Sequence, residues 1–224
     1  LGEWKVSDKD PRLMTLRGPG EVGGQYYRLY REGLLPDWEG GDIDIQKPRD
    51  GNLNRNFPAG WRPEHFQYGA GDYPFSEPES KAIGEFFLSH PNIACLEAYH
   101  THSGVILRPS LVKPDSELPP ADLALFKLIG KVGTELTGYP VISVYEEFTD
   151  NKSAPRTGSL LEWTYEEMGL VGFSTELWDV EQAAGIEKPQ FYPLRSRTEE
   201  EELKLLKWND EHIGGQGFVN WQPF

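Results

Sequence analysis

Apolar side chains recur at helical spacing in four parts of the chain. In the first, Ile83, Phe86 and Phe87 occupy positions i, i+3 and i+4, the pattern of a helix that packs along one face. The spacing predicts helices over residues 76–90, 120–136 and 159–168, and a last helix that begins at residue 198.

Two Ser-x-x-Glu sequences predict where helices begin. Ser76 with Glu79, and Ser159 with Glu162, match a capping box, in which the two side chains bind the backbone of the first turn. Gly169 follows the second of these helices, as expected of a helix C-terminus.

Short apolar runs between the helices predict strands over residues 93–100, 104–107, 139–145 and 171–177. Strands that alternate with helices favour an α/β fold whose sheet is covered on both faces. Residues 1–75 are rich in Gly, Pro and charge, and predict loops with short strands. We expect residues 1–224 to form a single domain.

The charge and composition exclude several classes of protein. The chain has 224 residues, and its 22 Lys and Arg against 36 Asp and Glu give a formal charge of −14. This balance argues against nucleic acid and anionic membrane surfaces as partners, because both require clustered cations. Cys95 is the one cysteine, which excludes an intramolecular disulfide. No apolar run reaches the ~18 residues of a membrane span.

The chain does not begin with Met, and its first residues do not match a signal peptide. We therefore expect it to begin within a longer protein.

His100 and His102 lie at the end of a predicted strand, where alternation would place both on one face. Neutral imidazole is a common zinc ligand, so one reading is a metal site. The other is a pair of hydrogen-bonded structural histidines.

Glu176 is a carboxylate within an otherwise apolar strand. Burial would raise its pKa and suit it to general-base catalysis. The alternative is a residue on the outward side of a half-exposed strand.

Asn54 and Arg55 lie within the sequence Asn-Leu-Asn-Arg-Asn-Phe that begins at Asn52. A guanidinium can bind a carboxylate through two hydrogen bonds, and an adjacent amide adds a neutral donor. The alternative is an Asn-rich turn with a solvated arginine.

Together these pieces resemble the zinc carboxypeptidase family, the carboxypeptidase A/B-like metallopeptidases. The matching stretches keep the family's order: Asn52–Pro58, Phe75–Glu79, Tyr99–Pro109, Glu162–Tyr165 and Ser174–Leu177. The resemblance implies a mixed, mostly parallel sheet with helices on both faces, lacking its first elements.

The resemblance also implies roles for individual residues. His100 matches a zinc ligand, Asn54 and Arg55 match the pair that binds the terminal carboxylate of the substrate, and Glu176 matches the general base. In the implied reaction, a Zn²⁺ ion polarises the peptide carbonyl and acidifies a water, while the carboxylate moves the proton. The implied substrates are the C-termini of peptides or proteins.

Two further assignments concern the substrate pocket. Tyr145 is the candidate for the family's mobile tyrosine, which closes over the substrate, although residues 145–158 form a longer stretch than in the digestive members. Leu161 is the candidate for the position that sets side-chain preference, and an apolar residue there implies an apolar or aromatic C-terminal side chain.

The chain departs from the family before Asn54. The family's other two zinc ligands lie in a His-x-x-Glu motif, but no His here has Glu three residues later and none precedes Asn54. We expect those ligands on an upstream segment, so that this chain alone is inactive, because a catalytic zinc site uses three protein ligands. Arg12, Arg17 and Arg31 remain candidates for the family's electrophilic arginine.

Three functions therefore compete. The first is a zinc-dependent metallocarboxypeptidase, active with the upstream ligands. The second is an incomplete relative that binds peptide C-termini without cleaving them. The third retains zinc chemistry on another substrate, such as a cell-wall peptide or a small-molecule amide.

Overall fold

A computed structural model describes residues 2–30, 33, 35, 38–45, 52–187 and 196–222. The chain forms two compact units, one of Leu1–Arg49, Val180–Lys188 and Arg195–Phe224, the other of Asp50–Asp179 and Pro189–Leu194. The single-domain organisation of residues 1–224 stays a prediction.

The described residues form six strands and five α-helices. The strands are β1 (Trp4–Val6), β2 (Met14–Leu16), β3 (Cys95–His100), β4 (Val105–Arg108), β5 (Val141–Ser143) and β6 (Val171–Glu176). The α-helices are α1 (Pro78–Ser89), α2 (Pro120–Thr137), α3 (Leu160–Glu166), α4 (Val180–Ala183) and α5 (Glu199–Ile213).

The first unit contains an antiparallel pair, β1 with β2, and helices α4 and α5. The Arg12 guanidinium binds the carboxylates of both Asp10 and Asp210, which ties the segment before β2 to α5. Helix α5 begins with a complete capping box formed by Thr198 and Glu201, as the sequence signal at residue 198 predicts.

The second unit is built on a four-stranded sheet in the order β3-β6-β4-β5. Strands β3 and β6 run parallel, as do β4 and β5, while β4 and β6 are antiparallel. The mixed, mostly parallel sheet is therefore confirmed.

Helices cover both faces of this sheet. On one face, Phe126 of α2 packs in a cluster with Ile106 and Phe173. On the other, Leu161 of α3 lies against Gly172, where a Cβ would be 3.2 Å from the Leu161 Cδ1 atom. Because successive strand residues point to opposite faces, the face of Leu96 and Gly172 also carries His100 and Glu176.

Helix α1 corrects two sequence expectations. It begins at Pro78 with Glu77 as N-cap, and the predicted capping box of Ser76 is wrong, because the Ser76 hydroxyl donates to the Glu77 side chain. Its buried residues are Ser80, Gly84 and Phe87, so the predicted inward face is only partly right: Ile83 and Phe86 are exposed.

Strand β5 is shorter than predicted. It ends at Ser143, and residues 144–148 form a π-helix, so Tyr145 does not lie in a strand. Among the described residues, no helix combines the length and apolar composition needed to span a bilayer.

An ion pair between a buried arginine and a partly buried aspartate stabilises the second unit. Arg108, which is 5% exposed, donates two hydrogen bonds of 2.7 Å to the Asp115 carboxylate. Burial alone would raise the pKa of Asp115, but the hydrogen bonds and charge of Arg108, with Lys127, lower it below its usual 3.8.

We expect Asp115→Asn to lower the free energy of unfolding by about 3 kcal/mol near pH 7, because Arg108 would remain buried without its counter-charge. The loss should shrink as the pH falls from about 3.8 through the lower pKa that Asp115 has in the folded protein, because the unaltered protein then loses the same charge. Urea unfolding at several pH values measures both effects. Glu135→Gln, which removes an exposed ion pair of α2, is the control and should change stability by less than about 0.5 kcal/mol. Equal losses of unfolding free energy in the two variants would contradict the stabilising role of the pair between Arg108 and Asp115.

Candidate functional site

A cavity of about 100 Å³ lies beside the carboxyl ends of β3 and β6. It brings together five of the six site residues proposed from sequence, namely Asn54, Arg55, His100, Leu161 and Glu176. The rest of its lining consists of Leu107, Leu111, Val144, Phe148, Thr149, Asp150, Arg156, Ser159 and Ser174.

The sheet places His100 and Glu176 next to each other. They are the last residues of β3 and β6, and they are register partners in this parallel pair. Neighbouring strands lie about 4.8 Å apart, so an imidazole and a carboxylate on the same face share one small region. Glu176 is half-buried and lines the cavity, and its role as a general base stays a prediction.

Burial shifts the pKa of both groups toward the neutral form. It raises the pKa of Glu176 to about 7. Burial, and then the nearby Arg55 charge, lower the pKa of His100 below 6.5. At neutral pH the site thus combines a neutral imidazole with a carboxyl group that can either take up or release a proton.

Asn54 and Arg55 lie in a 3₁₀ turn, Leu53–Arg55, that begins with the Asn52 side chain accepting from the Asn54 backbone N–H. The Asn54 side-chain oxygen also accepts from the backbone N–H of Leu160, 2.9 Å away. The turn is thereby fixed to the first residue of α3.

Gly158 allows this turn to approach the chain before α3. It has φ of +72°, and a Cβ there would lie 2.4 Å from the Arg55 carbonyl oxygen. The backbone N–H of Phe57 donates to the Gly158 carbonyl, and the N–H of Gly158 donates to the Ala59 carbonyl. Only glycine fits at this close contact.

Asn56 secures the other side of the turn. Its side chain is fully buried, and its amide nitrogen donates to the carbonyls of Ala70 and Tyr73 and to the Ser76 hydroxyl. Its oxygen accepts from the Glu77 backbone N–H and from the Ser80 hydroxyl. Asn56 is therefore a structural residue that orients its neighbours, a role that the sequence reasoning missed.

Tyr145 is not among the residues that line the cavity. It lies in the π-helix, and the Lys152 ammonium lies 5.2 Å from the centre of its ring. The lid role of Tyr145 stays a prediction. Leu161, at 3% exposed, does form part of the cavity wall.

His102 also lies apart from the cavity lining. Strand β3 ends at His100, so strand alternation does not extend to His102, and its Nδ1 atom is buried without a hydrogen-bond partner.

The structure describes two of the three candidates for the electrophilic arginine. Arg12 is bound by two carboxylates, and Arg17 lies over the ring of Tyr26. Arg31 lies outside the described residues.

The cavity contains a second guanidinium that the sequence reasoning missed. Arg156 lines it together with Asp150, and the two side chains form an ion pair of 3.6 Å. Both residues lie within residues 145–158, where the sequence indicated only an unusual length and no local pattern predicts a site.

The described residues contain no group of three or more His, Cys, Asp or Glu side chains positioned to hold a metal ion. His100 can supply one ligand, whereas a catalytic zinc site takes three from the protein. These residues alone therefore do not fit a catalytic zinc ion.

Comparison with known proteins gives one family match. Residues 35–204 match the family model described as zinc carboxypeptidase. Human mast cell carboxypeptidase A is 35% identical over 137 residues, which cover 57% of this chain and 32% of that protein. The chain thus spans about a third of the length of this relative.

Two solved structures are similar to the chain. Thrombin activatable fibrinolysis inhibitor is 24% identical, with 57% of this chain and 33% of that chain covered and a TM-score of 0.42. The bovine protein of that name, in complex with tick carboxypeptidase inhibitor, is 20% identical, with 73% and 57% covered and a TM-score of 0.42.

The shifted pKa of Glu176 can be measured directly. We expect a side-chain carboxyl carbon resonance in the NMR spectrum that titrates near pH 7 and disappears in Glu176→Gln. Because the folded protein would bind more protons than the unfolded chain between about pH 4.5 and 7, Glu176 should lower stability as the pH rises through this window. Glu176→Gln should remove that slope, while Glu135→Gln should retain it. A Glu176 resonance that titrates below pH 5 would contradict this account.

Proposed function

The chain belongs to the zinc carboxypeptidase family, and we propose that its cavity binds the C-terminal carboxylate of peptides as part of a metallocarboxypeptidase. The observation that carries this proposal is the presence of Asn54, Arg55, His100 and Glu176 in the lining of one cavity. These residues come from three separate segments of the chain, so their meeting is a property of the fold.

Recognition begins with the terminal carboxylate. Arg55 carries a planar guanidinium whose Nη1 donates to the Asn54 carbonyl. The charge and planar N–H geometry of a guanidinium match a carboxylate in charge and shape. Asn54 is fixed by its bond to Leu160, so its neighbour is presented at a defined position. A substrate with a blocked C-terminus lacks this charge and should bind weakly.

Glu176 is the proposed general base. Its pKa of about 7 lets it accept a proton from the attacking water and return it to the departing amine near neutral pH. Leu161 and the other apolar lining residues would accept the side chain of the terminal residue, which favours an apolar one.

The zinc ion of the family would be bound by His100 and by ligands beyond those that the described residues provide. The same observation favours a second candidate function, in which this chain binds peptide C-termini without cleaving them.

One experiment tests whether Arg55 binds the terminal carboxylate. We expect the chain to bind an N-acetylated tripeptide ending in free Leu at least about tenfold more tightly than the same peptide with a C-terminal amide, because a charged hydrogen bond contributes about 1.5–3 kcal/mol. Arg55→Met should remove this preference, and Arg62→Met is the matched control outside the cavity lining. Isothermal titration calorimetry gives the affinities.

Mass spectrometry of the same mixtures, with zinc added, then tests for cleavage. A peptide shortened by its last residue identifies the enzyme, whereas an intact bound peptide agrees with the binding protein and equally with an enzyme whose remaining zinc ligands lie beyond the described residues. Equal affinity for the free-acid and the amidated peptide would contradict binding of the terminal carboxylate by Arg55 in either case.

A further inference from the structure

Glu162 is a buried carboxylate directly behind the cavity wall. It is 3% exposed and lies between Leu161, which lines the cavity, and Trp163, which packs in a core cluster with Phe57 and Phe87. The Ser159 hydroxyl accepts from the Glu162 backbone N–H, so one half of the predicted capping box forms. The Glu162 carboxylate does not complete the box but points elsewhere.

Both carboxylate oxygens of Glu162 are bound by a loop distant in sequence. Oε1 accepts from the Ser110 hydroxyl at 2.7 Å, and Oε2 accepts from the Leu111 backbone N–H at 3.0 Å. The Ser110 hydroxyl oxygen in turn accepts from the backbone N–H groups of Val112 and Lys113. One side chain of α3 therefore fixes four consecutive residues, 110–113.

The connection continues to the π-helix. The backbone N–H of Tyr145 donates to the Ser110 carbonyl oxygen at 3.1 Å. The residues on either side of Tyr145 in this helix include Val144 and Phe148, which line the cavity. Glu162 thus holds the loop that in turn holds the π-helix.

These three segments supply four of the five apolar residues of the cavity lining, namely Leu161 from α3, Leu111 from the loop, and Val144 and Phe148 from the π-helix. Ordinary core packing does not explain a carboxylate here, because burying a charge is costly unless it is hydrogen-bonded. The bonds it makes are those that set the spacing of the cavity's apolar wall.

We propose that Glu162 is a positioning residue that sets the preference of the cavity for a large apolar C-terminal side chain, by holding the apolar wall of α3, loop and π-helix in one arrangement. This inference rests on the proposed binding of peptide C-termini. The charged groups nearest to Glu162 are Lys113 and Glu166, which pair with each other at 2.7 Å on the exposed side of α3.

The amide of Glu162→Gln has nearly the same shape but only one acceptor oxygen. If its NH₂ group faces the Leu111 N–H, that bond is lost. If it faces the Ser110 hydroxyl, it must compete with Val112 and Lys113, whose N–H groups already donate to that oxygen, so the loop loses a bond in either arrangement. Ser110→Ala removes the hydroxyl that binds Oε1 and leaves Glu162 in place. Glu135→Gln makes the same chemical change on the exposed surface of α2, outside the cavity lining, and is the control.

The test measures affinities of the 224-residue chain for N-acetylated tripeptides that end in free Leu or free Ala, by calorimetry. The unaltered chain should prefer Leu by about tenfold, as expected of an apolar pocket. We expect Glu162→Gln and Ser110→Ala to reduce this preference about threefold or more, through weaker binding of the Leu peptide. Affinity for the Ala peptide should stay within about twofold, and Glu135→Gln should keep the preference of the unaltered chain.

An unchanged Leu preference in folded Glu162→Gln would overturn the inference. An equal loss of affinity for the Leu and the Ala peptide would also overturn it, because that is what a merely structural role predicts. If Glu162→Gln does not fold by circular dichroism, Ser110→Ala decides by the same criterion. An amidated Leu peptide that binds as tightly as the free acid would instead overturn binding of the terminal carboxylate by Arg55, whatever the Leu preference. Failure of the unaltered chain to bind any of the peptides would overturn both.

Discussion

The buried amide of Asn56 fixes the geometry on which the candidate site depends. It binds the carbonyls of Ala70 and Tyr73 and the beginning of α1, so the turn before it can adopt only one position. From the other side, Gly158 lets the same turn lie against the chain that leads into α3. Arg55 is held between these two constraints and lines the cavity.

The buried Glu162 and the half-buried Glu176 differ in their hydrogen bonds. Glu162 has both oxygens bound, one by a hydroxyl and one by a backbone N–H, so its carboxylate serves to hold the cavity wall. Glu176 is shifted by burial alone, which raises its pKa to about 7 and keeps a proton exchangeable near neutral pH. Hydrogen bonds offset the cost of burying the Glu162 carboxylate, which suits it to a structural role. The Glu176 carboxyl group lacks such an offset, which suits it to proton transfer.

Local signals predicted what depends on local structure. Helix α2 begins at Pro120 as predicted and ends one residue beyond the predicted Leu136, because Gly138 takes the left-handed conformation that terminates it. The inward face of α1 was partly wrong because Gly84 lies against the ring of Phe75, a contact that helical spacing does not encode. The candidate site also combines local and long-range features. Asn54 and Arg55 are adjacent in sequence, so a local pattern could indicate them. The hydrogen bond between Glu162 and Ser110 joins residues 52 positions apart and leaves no pattern in either segment.

The central claim is that a peptide terminus enters this cavity with its carboxylate on Arg55. A crystal structure of the chain with a bound tripeptide that ends in Leu tests it most directly. We expect the terminal carboxylate within hydrogen-bonding distance of the Arg55 guanidinium, about 2.7–2.9 Å, with the Leu side chain against Leu161. A peptide bound with its carboxylate away from Arg55, or outside the cavity, would contradict the account.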